Sequence, residues 1–150
     1  METLDPNVAE RVWQRVYNRD TSQDLAAALL GMITAERNDG AVYLQLSRKY
    51  QGRESAMLRR LFEEEQSHTA CLKGIYMLLT GQKPAIQALK PASESIETTL
   101  RKCYGREMRC LAQYEARQTD AQYGHIFRKL AQQEQEHCHR ILEILGVLAK

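Results

Sequence analysis

Two histidines in this chain each follow a glutamate by three positions, in Glu65-Gln-Ser-His68 and Glu134-Gln-Glu-His137. On a helix, residues three apart share a face, so each motif aims a carboxylate and an imidazole in one direction. Those donors suit divalent transition metals such as iron and manganese. A single Glu-x-x-His is a weak signal, because glutamate is common on helices, and a third copy exists in Glu136 and His139. Hydrophobic periodicity separates the three. Glu134 and His137 interrupt an apolar seam of Leu130, Ile141, Leu145 and Leu148. Gln132, Glu136, His139 and Glu143 form a polar face expected in solvent. Glu65 and His68 likewise interrupt Leu58, Leu61, Leu72, Ile75 and Leu79, with Glu63 and Glu64 off that line.

The motifs belong to an internal duplication. Glu36 is followed seven positions later by Tyr43, and Glu107 seven positions later by Tyr114. Glu36 precedes Glu65 by 29 positions and Glu107 precedes Glu134 by 27, a difference that a shorter hairpin turn accommodates. Each single glutamate also falls on an apolar seam: Leu29, Ile33, Glu36, Tyr43 in the first half, and Leu100, Cys103, Glu107, Cys110, Tyr114 in the second. Four carboxylates and two imidazoles are thereby directed into one interior. Unpaired buried carboxylates cost several kcal/mol each or take up protons. Too few seam lysines or arginines exist to neutralise four of them, so bound divalent cations are the expected answer.

The elements that must position these groups are helices. Prolines are rare, good helix formers are abundant, and no strand-like alternation bounded by turn residues stands out. Asp5-Pro6 has the form of a helix start and opens a short amphipathic helix carrying Val8, Val12, Trp13 and Val16 within residues 1–20. Two long helices follow within 21–81, over about 22–50 and 54–80, the second stopping at Gly81. A crossover over 82–92 contains Pro84 and Pro91. Two more helices fill 93–150, one capped by Ser93 or Ser95 and running to about 118, the other spanning most of 120–149. Short joints within each pair and one long link between pairs predict two antiparallel hairpins, the ferritin-like four-helix connectivity, in a single domain over 1–150.

Composition narrows the function classes. With 21 Lys+Arg against 19 Asp+Glu, the net charge of +2 leaves no basic footprint for nucleic acid. No apolar stretch is long enough to span a bilayer, and residues 1–10 carry no signal-type apolar run, so a cytoplasmic location is expected. Cys71, Cys103, Cys110 and Cys138 form no Cys-x-x-Cys pair, which excludes a zinc-ribbon or rubredoxin-type site. Small core residues are their expected role.

Over the region of the four long helices the sequence resembles the rubrerythrin and ferritin-like superfamily of di-iron carboxylate proteins. The resemblance implies Glu36 and Glu107 as single carboxylate ligands, with Glu65/His68 and Glu134/His137 as the paired ones. Glu65 and Glu134 would bridge two iron ions, manganese being the other candidate metal. Tyr43 and Tyr114 are similar to tyrosines that hydrogen-bond such ligands, with core packing as the alternative. Rubrerythrins carry a further carboxylate one turn beyond the third-helix ligand, where this chain has Cys110. Packing is the expected role of that thiol, and redox chemistry beside the metals the alternative. The remaining set is closer to bacterioferritin. The implied activity is oxidation of Fe(II) by hydrogen peroxide or oxygen, for peroxide detoxification or iron handling. A separate electron-donor protein would be needed for peroxide reduction, since no rubredoxin-type segment is present. The expected assembly is a homodimer or a larger homo-oligomer, without nucleic acid or membrane partners. Iron storage in a shell and a metal-stabilised interaction bundle are the other readings.

Overall fold

The computed structural model describes residues 6–87 and 94–150, with side chains at Val8, Arg11 and from 23 onward in the first stretch. Four helices occur in the order α1 (Pro6–Ser47), α2 (Gly52–Thr80), α3 (Ile96–Ala116) and α4 (Gly124–Leu148), with no strand among the described residues. None of the helices is long and apolar enough to cross a membrane, among the described residues.

Helix boundaries follow local chemistry. Pro6, whose ring fixes a helical φ and lacks an N–H, opens α1; Asp5 lies outside the described residues. α2 stops where Gly81 takes the left-handed conformation (φ 69°) and returns its N–H to the carbonyl of Met77. Ser95 caps α3 by accepting from the Thr98 amide at 3.2 Å; Ser93 and Pro91 lie outside the described residues. Asp120 does not begin α4. Its Oδ1 accepts from the amides of Gln122 and Tyr123 at 2.9 and 2.7 Å, holding a turn that delays the helix to Gly124.

One expectation needs correction. The short amino-terminal helix is not a separate element but the first part of α1, which runs unbroken for 42 residues. Between Pro6 and Ser47 the sequence holds no further proline, so nothing forces a break at residues 20–22. Val8 is exposed, while the side chains of Val12, Trp13 and Val16 lie outside the described residues.

Contacts between helices fix their directions. Ser55 on α2 donates to the Ser47 carbonyl on α1, while His68 meets Glu36, so α1 and α2 run antiparallel. Tyr43 meets Glu107 and Glu36 meets Tyr114, so α1 and α3 are antiparallel as well. α2 and α3 are therefore parallel, and the chain joins two hairpins, α1·α2 and α3·α4, through a crossover. This is the connectivity anticipated from the loop lengths.

The interior is layered along the bundle. One apolar cluster gathers Leu29, Ile33, Leu72, Tyr114, Phe127 and Leu130; the other gathers Tyr43, Leu58, Leu61, Leu100, Ile141 and Ile144. On every helix the glutamates and histidines of the duplicated motif fall between these two groups. Each buried Leu, Ile or Phe contributes on the order of 1.5–3 kcal/mol through removal from water. A polar layer is thus held between two halves of an apolar core. Cys103, Cys110 and Cys138 are buried as expected, but Cys71 is exposed.

Candidate metal centre

Glu36 from α1, Glu65 and His68 from α2, Glu107 from α3, and Glu134 and His137 from α4 meet in this polar layer, none more than 2 % exposed. Ligand atoms of Glu65, His68, Glu134 and His137 all lie within 4.8 Å of one another, a buried cluster able to hold a metal ion. Close approach of α1 and α2 depends on Gly40. A Cβ there would sit 3.2 Å from the Cβ of Glu65, so a larger residue would push that carboxylate's helix away.

The geometry is paired. His68 Nδ1 lies 3.2 Å from Glu36 Oε2 and 3.1 Å from Glu134 Oε1. His137 Nδ1 lies 2.8 Å from Glu65 Oε1, 3.5 Å from Glu107 Oε2 and 3.6 Å from Glu134 Oε2. Glu134 therefore reaches both histidines, one oxygen to each. The rings stack with centroids 5.3 Å apart and planes inclined by 18°. Tyr43 Oη donates to Glu107 Oε1 at 2.5 Å, and Tyr114 Oη donates to Glu36 Oε1. The two tyrosines thus hydrogen-bond buried glutamates and also pack in the core.

Both imidazoles turn Nδ1 inward and Nε2 outward. His68 Nε2 is 2.7 Å from Gln133 Oε1, and His137 Nε2 is 2.8 Å from Glu64 Oε2. A carboxylate or amide oxygen at Nε2 requires the proton there, so in the neutral ring Nδ1 is the one that can act as a donor atom toward the centre. Arg140 Nη1 donates to the same Glu64 oxygen at 2.5 Å.

Electrostatics show how the cluster distributes its charge. Burial disfavours the imidazolium of His68, but its contacts with Glu134 and Glu36 prevail and push its pKa up to about 9. His137 is pushed up to about 12, burial being outweighed by Glu134, Glu64 and Glu65. Glu134 is buried, yet the two histidines bring it down to about 2. Glu65 moves the other way: burial and the neighbouring charge of Glu36 hold it well above the ordinary carboxylate range. Protons on the two histidines and on Glu65 thus offset part of the buried negative charge.

Compensation is incomplete. Both oxygens of Glu65, Oε2 of Glu134 and Nδ1 of His137 are buried with no aligned hydrogen-bond partner. The 2.8 Å approach of His137 Nδ1 to Glu65 is close enough for charge attraction but poorly aligned for a hydrogen bond. Among the described residues no lysine or arginine pairs with Glu36, Glu65, Glu107 or Glu134. Four carboxylates would balance two divalent cations with both histidines neutral. The donor set fits such ions.

Several contributors were not apparent from sequence. Glu64 and Gln133 each precede a motif glutamate, and Arg140 supports Glu64. Their signal was the duplication itself, which places a polar residue before the glutamate in both halves. Asp39 is also buried, three positions beyond Glu36 as Cys110 is beyond Glu107. It pairs with Arg106 at 2.5 Å, while burial still raises its pKa to about 6. Burial and the charge of Glu36 push the Cys110 thiol up, so it stands beside the cluster in the protonated form. Glu136 and His139 are exposed, as their polar face predicted.

Comparison with known protein families and with curated proteins yields no match to this chain. The functional reading therefore rests on the residues of the cluster.

Proposed function

We propose that the chain is a non-haem di-iron oxidoreductase of rubrerythrin-like type that oxidises Fe(II) with hydrogen peroxide or oxygen. The observation that carries this reading is the set of inward-facing donors on Glu65, Glu134 and His137 that have no hydrogen-bond partner among the described residues. His68 with Glu36 would hold one iron and His137 with Glu107 the other. Glu134, which reaches both histidines, and Glu65, which approaches His137, would complete the donor set for the ions. Carboxylate and imidazole donors suit Fe(II), and a bound iron pair supplies two electrons to an oxidant.

The chain's own part is to orient and to exclude water. Tyr43 and Tyr114 fix one oxygen of Glu107 and of Glu36, leaving the other directed to the histidines. Gln133 and Glu64 set the imidazole tautomers. The apolar clusters on either side keep bulk water from the donors and strengthen their electrostatics. Peroxide reduction would draw its electrons from a separate donor protein.

Anaerobic loading with Fe(II), followed by stopped-flow mixing with peroxide or oxygen, tests the proposal. Oxidation faster than that of free iron, with di-ferric absorbance retained by the protein, is expected. Oxidation no faster than in buffer would contradict it. Metal-dependent stabilisation without turnover would instead make the chain a metal-stabilised bundle.

A further inference from the structure

The two halves of the cluster are related by the duplication, but their outer hydrogen bonds differ. His68 from α2 faces Gln133 of α4, and His137 from α4 faces Glu64 of α2, each partner standing just before a motif glutamate. One imidazole therefore meets a neutral amide oxygen and the other a carboxylate. Glu64 Oε2 accepts from His137 Nε2 at 2.8 Å. It is fixed in place by Arg140 at 2.5 Å and Arg60 at 3.3 Å.

Resting on the di-metal reading, we infer that the two metal positions are unequal: the His137 position binds its ion more tightly, with Glu64 as the positioning residue responsible, and the His68 position is the exchangeable one. A carboxylate accepting from Nε2–H makes the opposite ring nitrogen a better donor, and a charge-assisted bond is about twice as strong as a neutral one. It also holds the ring at a fixed angle. The tyrosine-steadied carboxylates are matched, because each histidine has one of them, Glu107 through Tyr43 and Glu36 through Tyr114. The asymmetry enters from outside the ligand set.

The test is calorimetric and optical titration of metal-free full-length chain with Co(II), with no turnover involved. The wild type is expected to take up two ions in separable steps. Glu64→Gln should weaken the tight step by about 10–100-fold, the range for loss of an outer-shell partner, and leave the weak step in place. Gln133→Glu should tighten the weak step, which a general effect on folding would not do. Glu64 is partly exposed and Gln has its shape, so unfolding of each metal-free variant checks that the fold is kept. Two equal steps in the wild type, or Glu64→Gln weakening both alike, would overturn the inequality while leaving the di-metal reading standing. Uptake of fewer than two ions by the wild type would overturn both.

Discussion

The hydroxyl of Tyr43 on α1 donates to Oε1 of Glu107 on α3 at 2.5 Å, and Tyr114 on α3 makes the corresponding contact with Glu36 on α1. These crossed contacts tie the two hairpins together at the level of the cluster. Each also satisfies one oxygen of a buried carboxylate. Tyr43→Phe removes the donor while keeping the ring, and should cost about 1–3 kcal/mol, as expected when a buried acceptor loses its partner. Urea unfolding of metal-free protein measures that loss. Tyr114→Phe should behave in the same way, and metal affinity should fall in both variants because a ligand oxygen is no longer steadied. Unchanged stability and affinity in both would show that the tyrosines only pack.

Metal-free and metal-loaded protein should respond oppositely to pH. His68 is raised from its ordinary 6.5 to about 9 and His137 to about 12. A group whose folded pKa exceeds its unfolded value stabilises fully below the unfolded value and loses that contribution as pH rises through the folded one. Metal-free stability should therefore decline between about pH 6.5 and 9. Over the same interval metal binding becomes easier, because the ion displaces protons from its ligands. Urea midpoints with and without Mn(II), taken across this range, should diverge as pH rises. A metal-free midpoint that climbs with pH would contradict the protonation pattern.

Much of the centre was legible because helix periodicity reports facing. Glu36, Glu65, His68, Glu107, Glu134 and His137 break apolar seams, and such positions can only point inward once four helices assemble. Glu64 and Gln133 were not legible in this way. They flank the seam, and their roles follow from the antiparallel register of α2 against α4, which brings each opposite the other helix's histidine. Asp39 was hidden for a related reason, since its partner Arg106 comes from α3 and only the packing of α1 on α3 joins them. The continuity of α1 was missed because a short helix within residues 1–20 was separated from the long one beginning near residue 22, although no proline between them stops a helix.

The discrimination between the motif pairs and their exposed neighbour has a direct mutational form. Glu134→Ala should reduce bound metal from two ions per chain to fewer than one, because Glu134 reaches both histidines, and His137→Ala should remove the ion on its own side. Glu136→Gln and His139→Gln, on the exposed face, should leave binding unchanged. Equilibrium dialysis followed by elemental analysis gives both numbers. Loss of metal in the His139 variant would mean that the seam assignment is wrong.

Cysteine reactivity checks whether Cys110 takes part in redox chemistry. Reaction depends on thiolate and access, and Cys110 is buried with its thiol pushed up, first by burial and then by the charge of Glu36. In native protein only Cys71, which is exposed, should react readily with a thiol reagent. Cys103, Cys110 and Cys138 should appear only after denaturation. Rapid labelling of Cys110 in the native state, read by mass spectrometry, would argue for an accessible and active thiol.

The central claim is that these residues hold two metal ions. Crystals grown from iron-loaded protein, with diffraction measured at the iron and manganese absorption edges, address it most directly. Two iron peaks about 3.5–4 Å apart are predicted, bounded by Glu36 and His68 on one side and Glu107 and His137 on the other, with Glu65 and Glu134 between. A single peak, or no anomalous density within this layer, would contradict the account.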